Sequence, residues 1–355
     1  MKSKTNKKVI KAAKETVFYL FLTTLIAGVL LPVYFIVSLS FLSTREAYQY
    51  PLPLVPALKT DMELGYGERG YLLSVWDRID KEYQTVLDTA DLEKMEYYIK
   101  SQLGTKITEE ELLFETSRLE NSDEKSVFFT KPRALLNNYD TFFRVTRDAV
   151  PALIRSLQIA ALTILISLSI GGLAGYAFAR YVFKGKDTLR FSVLFVRMFP
   201  GVAIALPMVF ILARANLYDE PLGLSLIYSV GAIGLTIWIT ASIFMGIPES
   251  LEEAAQVFGA SKFQAFMKVT LPLALPGLAA SAMYIFLGAW NETVAAIILT
   301  QFKPTFSVVV YQTLLGASGQ VNLAAAGGIS MALPAIFFTF FLRKYINRMW
   351  GGVKV

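Results

Sequence analysis

Long apolar runs, separated by short polar segments, dominate the chain. Six of them have roughly 20 residues or more, which is enough to cross ~30 Å of hydrocarbon as a helix. They lie at about residues 16–42, 152–178, 191–213, 222–246, 277–300 and 322–342. The pattern therefore predicts six transmembrane helices. The first run is longer than the roughly 7–15 apolar residues of a signal peptide, and no A-x-A motif follows it, so we expect an uncleaved first span.

Composition and charge favour a polytopic membrane protein. Of the 355 residues, 54% are hydrophobic, and the mean hydropathy is +0.49. Lysine and arginine concentrate in the N-terminal segment, two loops and the C-terminal tail, at Lys2, Lys4, Lys7, Lys8, Lys11, Lys14, Arg180, Lys184, Lys186, Arg190, Lys262, Lys268, Arg343, Lys344, Arg348 and Lys354. The short loops on the other side hold only Arg214 and Lys303. By the positive-inside rule, both termini are cytoplasmic.

Residues 46–150, the insertion, break the apolar pattern. Of the 28 Asp and Glu residues, 20 lie there, so we expect this segment to be extracytoplasmic. Two amphipathic helices are predicted from apolar residues at helical spacing, one through Val75, Trp76, Ile79, Tyr83 and Val86 and one through Leu92, Met95, Ile99 and Leu103. Thr108 and Glu111 predict the cap of a third helix. The insertion is thus predicted to be mainly helical; alternatively, it is a decoration on the membrane face without a ligand.

A polar loop, residues 248–276, interrupts the second half of the chain. Ser250 and Glu253 have the spacing of a capping box, which predicts a helix start. One face of this helix would carry Leu251, Ala254, Ala255 and Phe258. Gly259 offers the positive φ that ends a helix.

The same loop contains a second helix signal. Ser261 and Gln264 form another capping box, and Phe263, Phe266, Met267 and Thr270 continue one face before Pro272 ends the regular helix. The prediction is a helix–glycine–helix loop on the cytoplasmic side. Because its apolar faces lie outside the bilayer, we expect them to dock against another molecule.

The residue types present exclude several kinds of chemistry. The chain has no Cys and no His, which excludes disulfides, His or Cys metal sites and His general bases. Gly185-Lys186 lacks the earlier glycine of a phosphate-binding loop. We predict no catalytic residue, metal or bound cofactor, and the topology explains the net charge of +6 without a nucleic-acid partner. Uphill transport would need energy from a partner that acts through the cytoplasmic loops.

The 248–276 loop carries a family resemblance. Glu253-Ala254-Ala255, three residues, Gly259-Ala260 and then Leu271-Pro272-Leu273 resemble the EAA loop of ATP-binding-cassette (ABC) importer permeases. Further matches to the maltose/sugar subfamily are Ala177-Phe178-Ala179-Arg180, Phe199-Pro200, Ala289-Trp290-Asn291-Glu292 and Gly351-Gly352-Val353-Lys354. The resemblance covers about residues 15–58 and 133–355. The family commonly has Asp before the loop glycine, where this chain has Phe258.

The resemblance implies an all-α membrane protein with the six-helix fold of type I ABC importer permeases. It divides the chain into residues 1–45, the insertion, and a five-helix core at 151–355. It implies a non-catalytic sugar permease for an oligosaccharide such as maltose or maltodextrin, in a bacterial or archaeal plasma membrane. The implied partners are a second permease subunit, two ABC subunits that hold ATP and Mg, an extracytoplasmic solute-binding protein and membrane lipid. The alternatives are a polyol or sugar-phosphate permease, and a membrane sensor that acts through the insertion.

In such permeases the EAA loop docks into the ATPase. The resemblance assigns this role to Glu253, Ala254, Ala255, Phe258, Gly259, Ala260, Phe263 and Phe266. Alternatively, Glu253 only completes a capping box, and the loop is a re-entrant hairpin on the membrane surface.

Polar residues inside the spans are candidates for the translocation path. These are Arg197, Trp290, Asn291 and Glu292. Arg197 could instead snorkel to the interface, and the Trp-Asn-Glu group could be a polar clamp between helices. In the loop at 301–321, the resemblance predicts contact with the binding protein at Gln312, Gly316, Ser318, Gly319 and Gln320, with an ordinary turn as the alternative.

Overall fold

The computed structural model describes residues 2–122, 124–146, 148–196, 198, 201–316 and 319–350, with side chains described outside 2–13, 201–202 and 345–350. The chain divides into two compact units. Residues 1–142 and 313–329 form the first unit, and residues 143–312 and 330–355 form the second.

Helices and strands alternate in the first third of the chain, and helices alone follow in the rest of the described residues. In chain order they are α1 (Lys2–Phe41), α2 (Thr44–Ala47), β1 (Lys59–Tyr66), β2 (Tyr71–Asp77), β3 (Glu82–Thr89), α3 (Leu92–Gln102), α4 (Glu109–Glu120), β4 (Ser126–Pro132), α5 (Asn137–Val145), α6 (Ala149–Arg180), α7 (Lys186–Val196), α8 (Gly201–Arg214), α9 (Pro221–Met245), α10 (Glu249–Val257), α11 (Lys262–Ala265), a π-helical turn (Phe266–Thr270), α12 (Leu271–Asn291), α13 (Val294–Leu299), α14 (Phe306–Leu315) and α15 (Val321–Trp350).

A four-stranded antiparallel sheet, covered by two helices, forms the core of the first unit. The strand order is β3-β2-β1-β4. Alternate strand residues point to the face that α3 and α4 cover, and they form one buried cluster with helix residues: Met62, Leu64, Leu73, Val75, Val127, Phe129, Met95, Ile99, Leu112 and Leu119. Lys59 pairs with Pro132, and the N–H of Arg133 donates to the carbonyl of Leu58 at 3.0 Å. The chain therefore enters and leaves the sheet at adjacent points.

This sheet corrects the prediction that the insertion is mainly helical. Two predicted helices are confirmed as α3 and α4, and Thr108 and Glu111 form the predicted capping box of α4. The predicted helix over residues 75–86 is wrong, because this segment is the β2–β3 hairpin, in which Trp76 pairs with Tyr83. β-Branched and aromatic residues favour strands. Their spacing resembled a helix because a turn separates the two strands.

Several helices can cross a membrane. Among the described residues, five helices are long and apolar enough to do so: Lys14–Phe41, Ala149–Arg180, Pro221–Met245, Lys262–Asn291 and Val321–Lys344. The predicted span at 191–213 falls on α7 and α8, which are shorter and have the undescribed residues 197, 199 and 200 between them. The predicted span at 277–300 is part of a longer helix that continues, after a break, as α13.

In the second unit, α6 packs closely along α9 at two glycines. A Cβ atom on Gly175 would lie 2.0 Å from Oγ1 of Thr240, and one on Gly171 would lie 2.8 Å from Cγ2 of Thr236. The Thr240 hydroxyl donates to the carbonyl of Gly171 at 3.1 Å. Small residues let membrane helices approach closely in this way, so the glycines set the distance between the two spans.

Candidate functional site

The first half of the 248–276 loop is a short helix that ends at a glycine. Helix α10 is followed by Gly259, whose φ of 89° confirms the predicted left-handed position. The predicted capping box of Ser250 with Glu253 is wrong. The N-cap is Pro248, with φ −57°, and the helix begins at Glu249. Because the helix starts before Ser250, the Ser250 hydroxyl is not in a capping position.

The second half of the loop leads directly into a membrane span. The predicted second capping box is confirmed: Ser261 Oγ accepts from the Gln264 N–H at 3.2 Å, and Gln264 Oε1 accepts from the Ser261 N–H at 3.0 Å. The prediction that Pro272 ends the helix is wrong. A π-helical turn precedes α12, and Pro272 lies in the first turn of that helix. Proline is tolerated there, so the chain stays helical from the loop into the span.

The loop exposes five large apolar side chains, which we term the apolar patch: Leu251, Val257, Phe258, Phe263 and Met267. Phe258 is 92% exposed, Val257 is 84% exposed and Phe263 is 72% exposed. Exposed apolar side chains of this size are unfavourable in water and are typical of interaction surfaces. The described part of the chain leaves these five side chains exposed.

The remaining predicted docking residues surround the patch or lie beneath it. Glu253, Ala254 and Gly259 are exposed, and Ala255 and Ala260 are partly buried. Phe266 points inward, with its ring centroid 4.6 Å from that of Tyr176 and 6.2 Å from that of Phe244. The loop therefore has an outer surface and an inner anchor.

The inner anchor centres on Glu252, which is buried, whereas its neighbour Glu253 is exposed. The Glu252 carboxylate accepts hydrogen bonds from the Tyr176 hydroxyl at 2.7 Å, from Arg180 Nε at 2.9 Å and from the Thr270 hydroxyl at 2.6 Å. Arg180 also donates to the carbonyl of Ile247 at 2.9 Å. The network, which we term the Glu252 anchor, ties α10 to the end of α6 and to the start of α12.

The hydrogen bonds of the Glu252 anchor favour the ionised form of the Glu252 carboxylate. Burial raises the pKa of Glu252, but the hydrogen bonds from Thr270, Tyr176 and Arg180 outweigh it, so the net pKa lies below the ordinary value. A buried charge pair stabilises a structure only if both ions are well bonded, and three donors meet that condition. Sequence reasoning missed Glu252, because its partners are 18 to 76 residues away in the chain.

The predicted path residues of α12 have different surroundings. Trp290 is 3% exposed; its indole N–H donates to the Met331 carbonyl at 2.9 Å, and its ring stacks on Phe286 with centroids 5.5 Å apart. Asn291 is exposed. Glu292 follows the last residue of α12, and its Oε1 accepts from the Ala295 N–H in the first turn of α13 at 2.9 Å.

Glu292 also lines a cavity of about 360 Å³ within the second unit, which we term the central cavity. Its walls are mostly apolar, and its polar side chains are Thr163, Tyr228, Tyr284 and Glu292. The Tyr228 hydroxyl oxygen is buried and has no hydrogen-bond partner among the described residues. The path assignment of Trp290, Asn291 and Glu292 stays a prediction.

Other sequence-predicted residues are scattered. Arg197, Ser318 and the motifs at 199–200 and 351–354 lie outside the described residues. Gln312 is exposed on α14. The N–H of Gly319 donates to the carbonyl of Gly316 at 2.8 Å, which forms a turn, and Gln320 directly precedes α15. Contact of these residues with a binding protein stays a prediction.

Comparison with known proteins agrees with this architecture. Residues 167–351 match the family described as "binding-protein-dependent transport system inner membrane component". The trehalose transport system permease protein SugB of Mycobacterium tuberculosis is 35% identical over 221 residues, which cover 61% of this chain and 80% of that protein. The maltodextrin transport system permease protein MalD of Streptococcus pneumoniae is 33% identical over 204 residues, which cover 56% and 72%.

A solved structure extends the fold comparison to nearly the whole chain. It is the crystal structure of a bacterial ABC transporter involved in the import of the acidic polysaccharide alginate. The match covers 93% of this chain and 95% of that chain, with a TM-score of 0.56 and 18% identity. At this identity the likeness concerns the fold.

Apolar helices that are joined by an anchored loop with an exposed apolar patch define a multi-pass membrane permease that works with another protein. The chain belongs to the family of binding-protein-dependent transport system inner membrane components. It is a non-catalytic transport subunit of the ABC importer class.

Proposed function

We propose that this chain is one of two permease subunits of a sugar importer, and that the sugar is an oligosaccharide. The complete importer would add two ABC ATPase subunits, which carry ATP and Mg, and an extracytoplasmic solute-binding protein. In this arrangement the chain has six spans, both termini and the 248–276 loop are cytoplasmic, and the insertion is extracytoplasmic.

The 248–276 loop carries the proposal. Its apolar patch, with Phe258 at 92% exposure, is available to an ATPase subunit. The Glu252 anchor lies beneath it and fixes α10 to two spans through three hydrogen bonds. A force applied at the patch would therefore move the ends of α6 and α12 instead of bending the loop. This is the mechanical requirement for coupling ATPase closure to alternating access.

The sugar assignment is supported by relatives and by the central cavity. The relatives described above are permeases for trehalose and maltodextrin. Among the described residues, no lysine or arginine lines the central cavity. A neutral polar solute fits such a cavity better than a sugar phosphate would, because an anion would face Glu292 without a compensating charge.

Phe258→Asp tests the docking role. Central apolar interface residues often contribute about 2 kcal/mol or more, so we expect the affinity for the ATPase to fall about 30-fold. The measurement is copurification and titration of the ATPase against the permease in detergent. Phe302→Asp is the matched control, because Phe302 is 77% exposed in a loop far from the patch in sequence.

Equal ATPase binding by wild type and Phe258→Asp would contradict the docking proposal. Uptake of a panel of labelled sugars by the assembled importer tests the substrate class. Uptake of a sugar phosphate, but of no neutral sugar, would contradict the sugar proposal as stated.

A further inference from the structure

The central cavity holds two polar groups that the packing of the helices leaves available. The hydroxyl of Tyr228 is buried and has no partner among the described residues. One carboxylate oxygen of Glu292 accepts from the N–H of Ala295, and the other receives no hydrogen bond from the described part of the chain. A buried hydroxyl without a partner is unfavourable. A guest that bonds to Tyr228 would therefore be stabilised in this cavity.

Two glycines leave open space beside these groups. Gly231 lies three residues after Tyr228 on α9 and shares a helix face with it. Gly288 lies on α12, four residues before Glu292, which follows the end of that helix, and all four residues line the cavity. A Cβ atom at either glycine would have no other heavy atom within 4 Å. These positions therefore border empty volume.

The size and walls of the cavity fit a small ring. Its volume of about 360 Å³ lies at the lower end of the ~300–1,000 Å³ that small-molecule sites occupy. Tyr284 lines it with an aromatic ring that is 38% exposed. Mostly apolar walls with a few placed polar groups are typical of sites that bind small organic molecules.

The charge of the lining restricts the guest. Glu292 is an acceptor, and Tyr228 can donate as well as accept. The Glu292 carboxylate would repel a phosphate or carboxylate group of a guest. The fitting guest is neutral and rich in hydroxyl groups.

We propose that the central cavity is a substrate subsite of this subunit itself, which takes one ring of a neutral sugar. Glu292 accepts a hydrogen bond from one sugar hydroxyl, Tyr228 donates to another oxygen of the sugar, and Gly231 and Gly288 provide the room. The inference rests on the proposed sugar-import function and adds the residues with which this chain selects its substrate.

The test uses the whole importer in proteoliposomes, with its partner permease, ATPase and binding protein. The probes are labelled trehalose and maltotriose, each compared with its monodeoxy analogues. Tyr228→Phe removes one donor, so discrimination against the analogue that lacks the paired oxygen should fall about two- to tenfold. Glu292→Gln keeps the shape but loses the charge, and it should reduce uptake about tenfold or more, because hydrogen bonds to charged groups are stronger.

Gly288→Leu should block the subsite by filling it. The matched controls lie on α1: Gly28→Leu, where a Cβ atom also has no neighbour within 4 Å, and Tyr19→Phe, whose side chain is 63% exposed. Both control variants should transport as the wild type does. ATPase binding by every variant should stay unchanged, because the cavity is separate from the apolar patch.

The outcomes separate the two proposals. If the wild-type importer moves trehalose or maltotriose and the three cavity variants keep its rates and its discrimination among analogues, the subsite is refuted and the import function stands. If Tyr228→Phe slows all analogues equally, the residue is structural and the subsite is also refuted. If the wild type moves no neutral sugar, the proposed function fails together with the inference.

Discussion

Replacing Glu252 with alanine would break the Glu252 anchor of the 248–276 loop. The change removes the acceptor of three hydrogen bonds. Among the described residues, Arg180, whose side chain is 7% exposed, then keeps the Ile247 carbonyl and a 3.8 Å contact to Glu249. Breaking a buried ion pair from one side costs about 3–5 kcal/mol. Since 1.36 kcal/mol is a factor of ten, a cost of 3–5 kcal/mol should make local opening of α10 about 160- to 5,000-fold more frequent.

Hydrogen exchange of the α10 amides in detergent measures this opening directly. Glu253→Ala is the matched control, because Glu253 is the adjacent residue and is exposed. We expect fast α10 exchange and loss of sugar-coupled ATPase activity in Glu252→Ala, and near wild-type α10 exchange in Glu253→Ala. A double variant, Glu252→Leu with Arg180→Met, should recover part of the protection, because it removes the unpaired charge.

One result would refute this reasoning. If the α10 amides of Glu252→Ala exchange as slowly as those of Glu253→Ala, the hydrogen bonds of Glu252 do not hold the loop. Loss of coupling with unchanged exchange would likewise move the role of Glu252 from anchoring to direct contact with the ATPase.

The remaining predictions concern pH and helix packing. The pKa of Glu252 lies below its ordinary value of 4.5, so the stabilisation from its hydrogen bonds is complete above pH 4.5 and is lost as the pH falls further. Hydrogen-exchange protection of α10, corrected for intrinsic exchange, should therefore be constant near neutral pH and fall in acid. A loss of protection already near pH 6 would contradict the lowered pKa. Gly175→Ala should lower the melting temperature in detergent, because its Cβ would lie 2.0 Å from Thr240 Oγ1 and overpacking costs about 1–3 kcal/mol. Gly172→Ala is the control and should not lower it, because the space at its Cβ is open. Equal melting temperatures of the two variants would refute close α6–α9 packing.

Local signals were the predictable part of this molecule. The capping boxes of Thr108 and Ser261 and the positive φ of Gly259 each depend on a few neighbouring residues, and the structure confirms them. The equally local capping box predicted at Ser250 is wrong, because α10 begins at Glu249. The β2–β3 hairpin was misread, because Val75 and Tyr83 fit a helical face as well as two paired strands. Pairing of β2 with β1, which in turn pairs with the distant strand β4, decides between the two.

The Glu252 anchor could not be predicted from the sequence, because it is formed by contacts between residues that are distant in the chain. The sequence motif drew attention to Glu253, but the buried carboxylate is that of Glu252, which is defined by Tyr176 and Arg180 on another helix. The lining of the central cavity could not be predicted from the sequence either. Glu292 was a candidate because it is an acid inside an apolar segment, whereas Tyr228 has no local signal that distinguishes it from other tyrosines.

The adjacent positions of Leu58 and Arg133 have a consequence for how the sheet-containing segment between them can be inserted into this protein or replaced. Because Leu58 and Arg133 are joined by a hydrogen bond, residues 59–132 leave and rejoin the chain at a single place. A folded unit can be gained or lost at such a junction without changing the path of the flanking backbone. The same junction is where a fluorescent or affinity module could replace the sheet and report on the transporter.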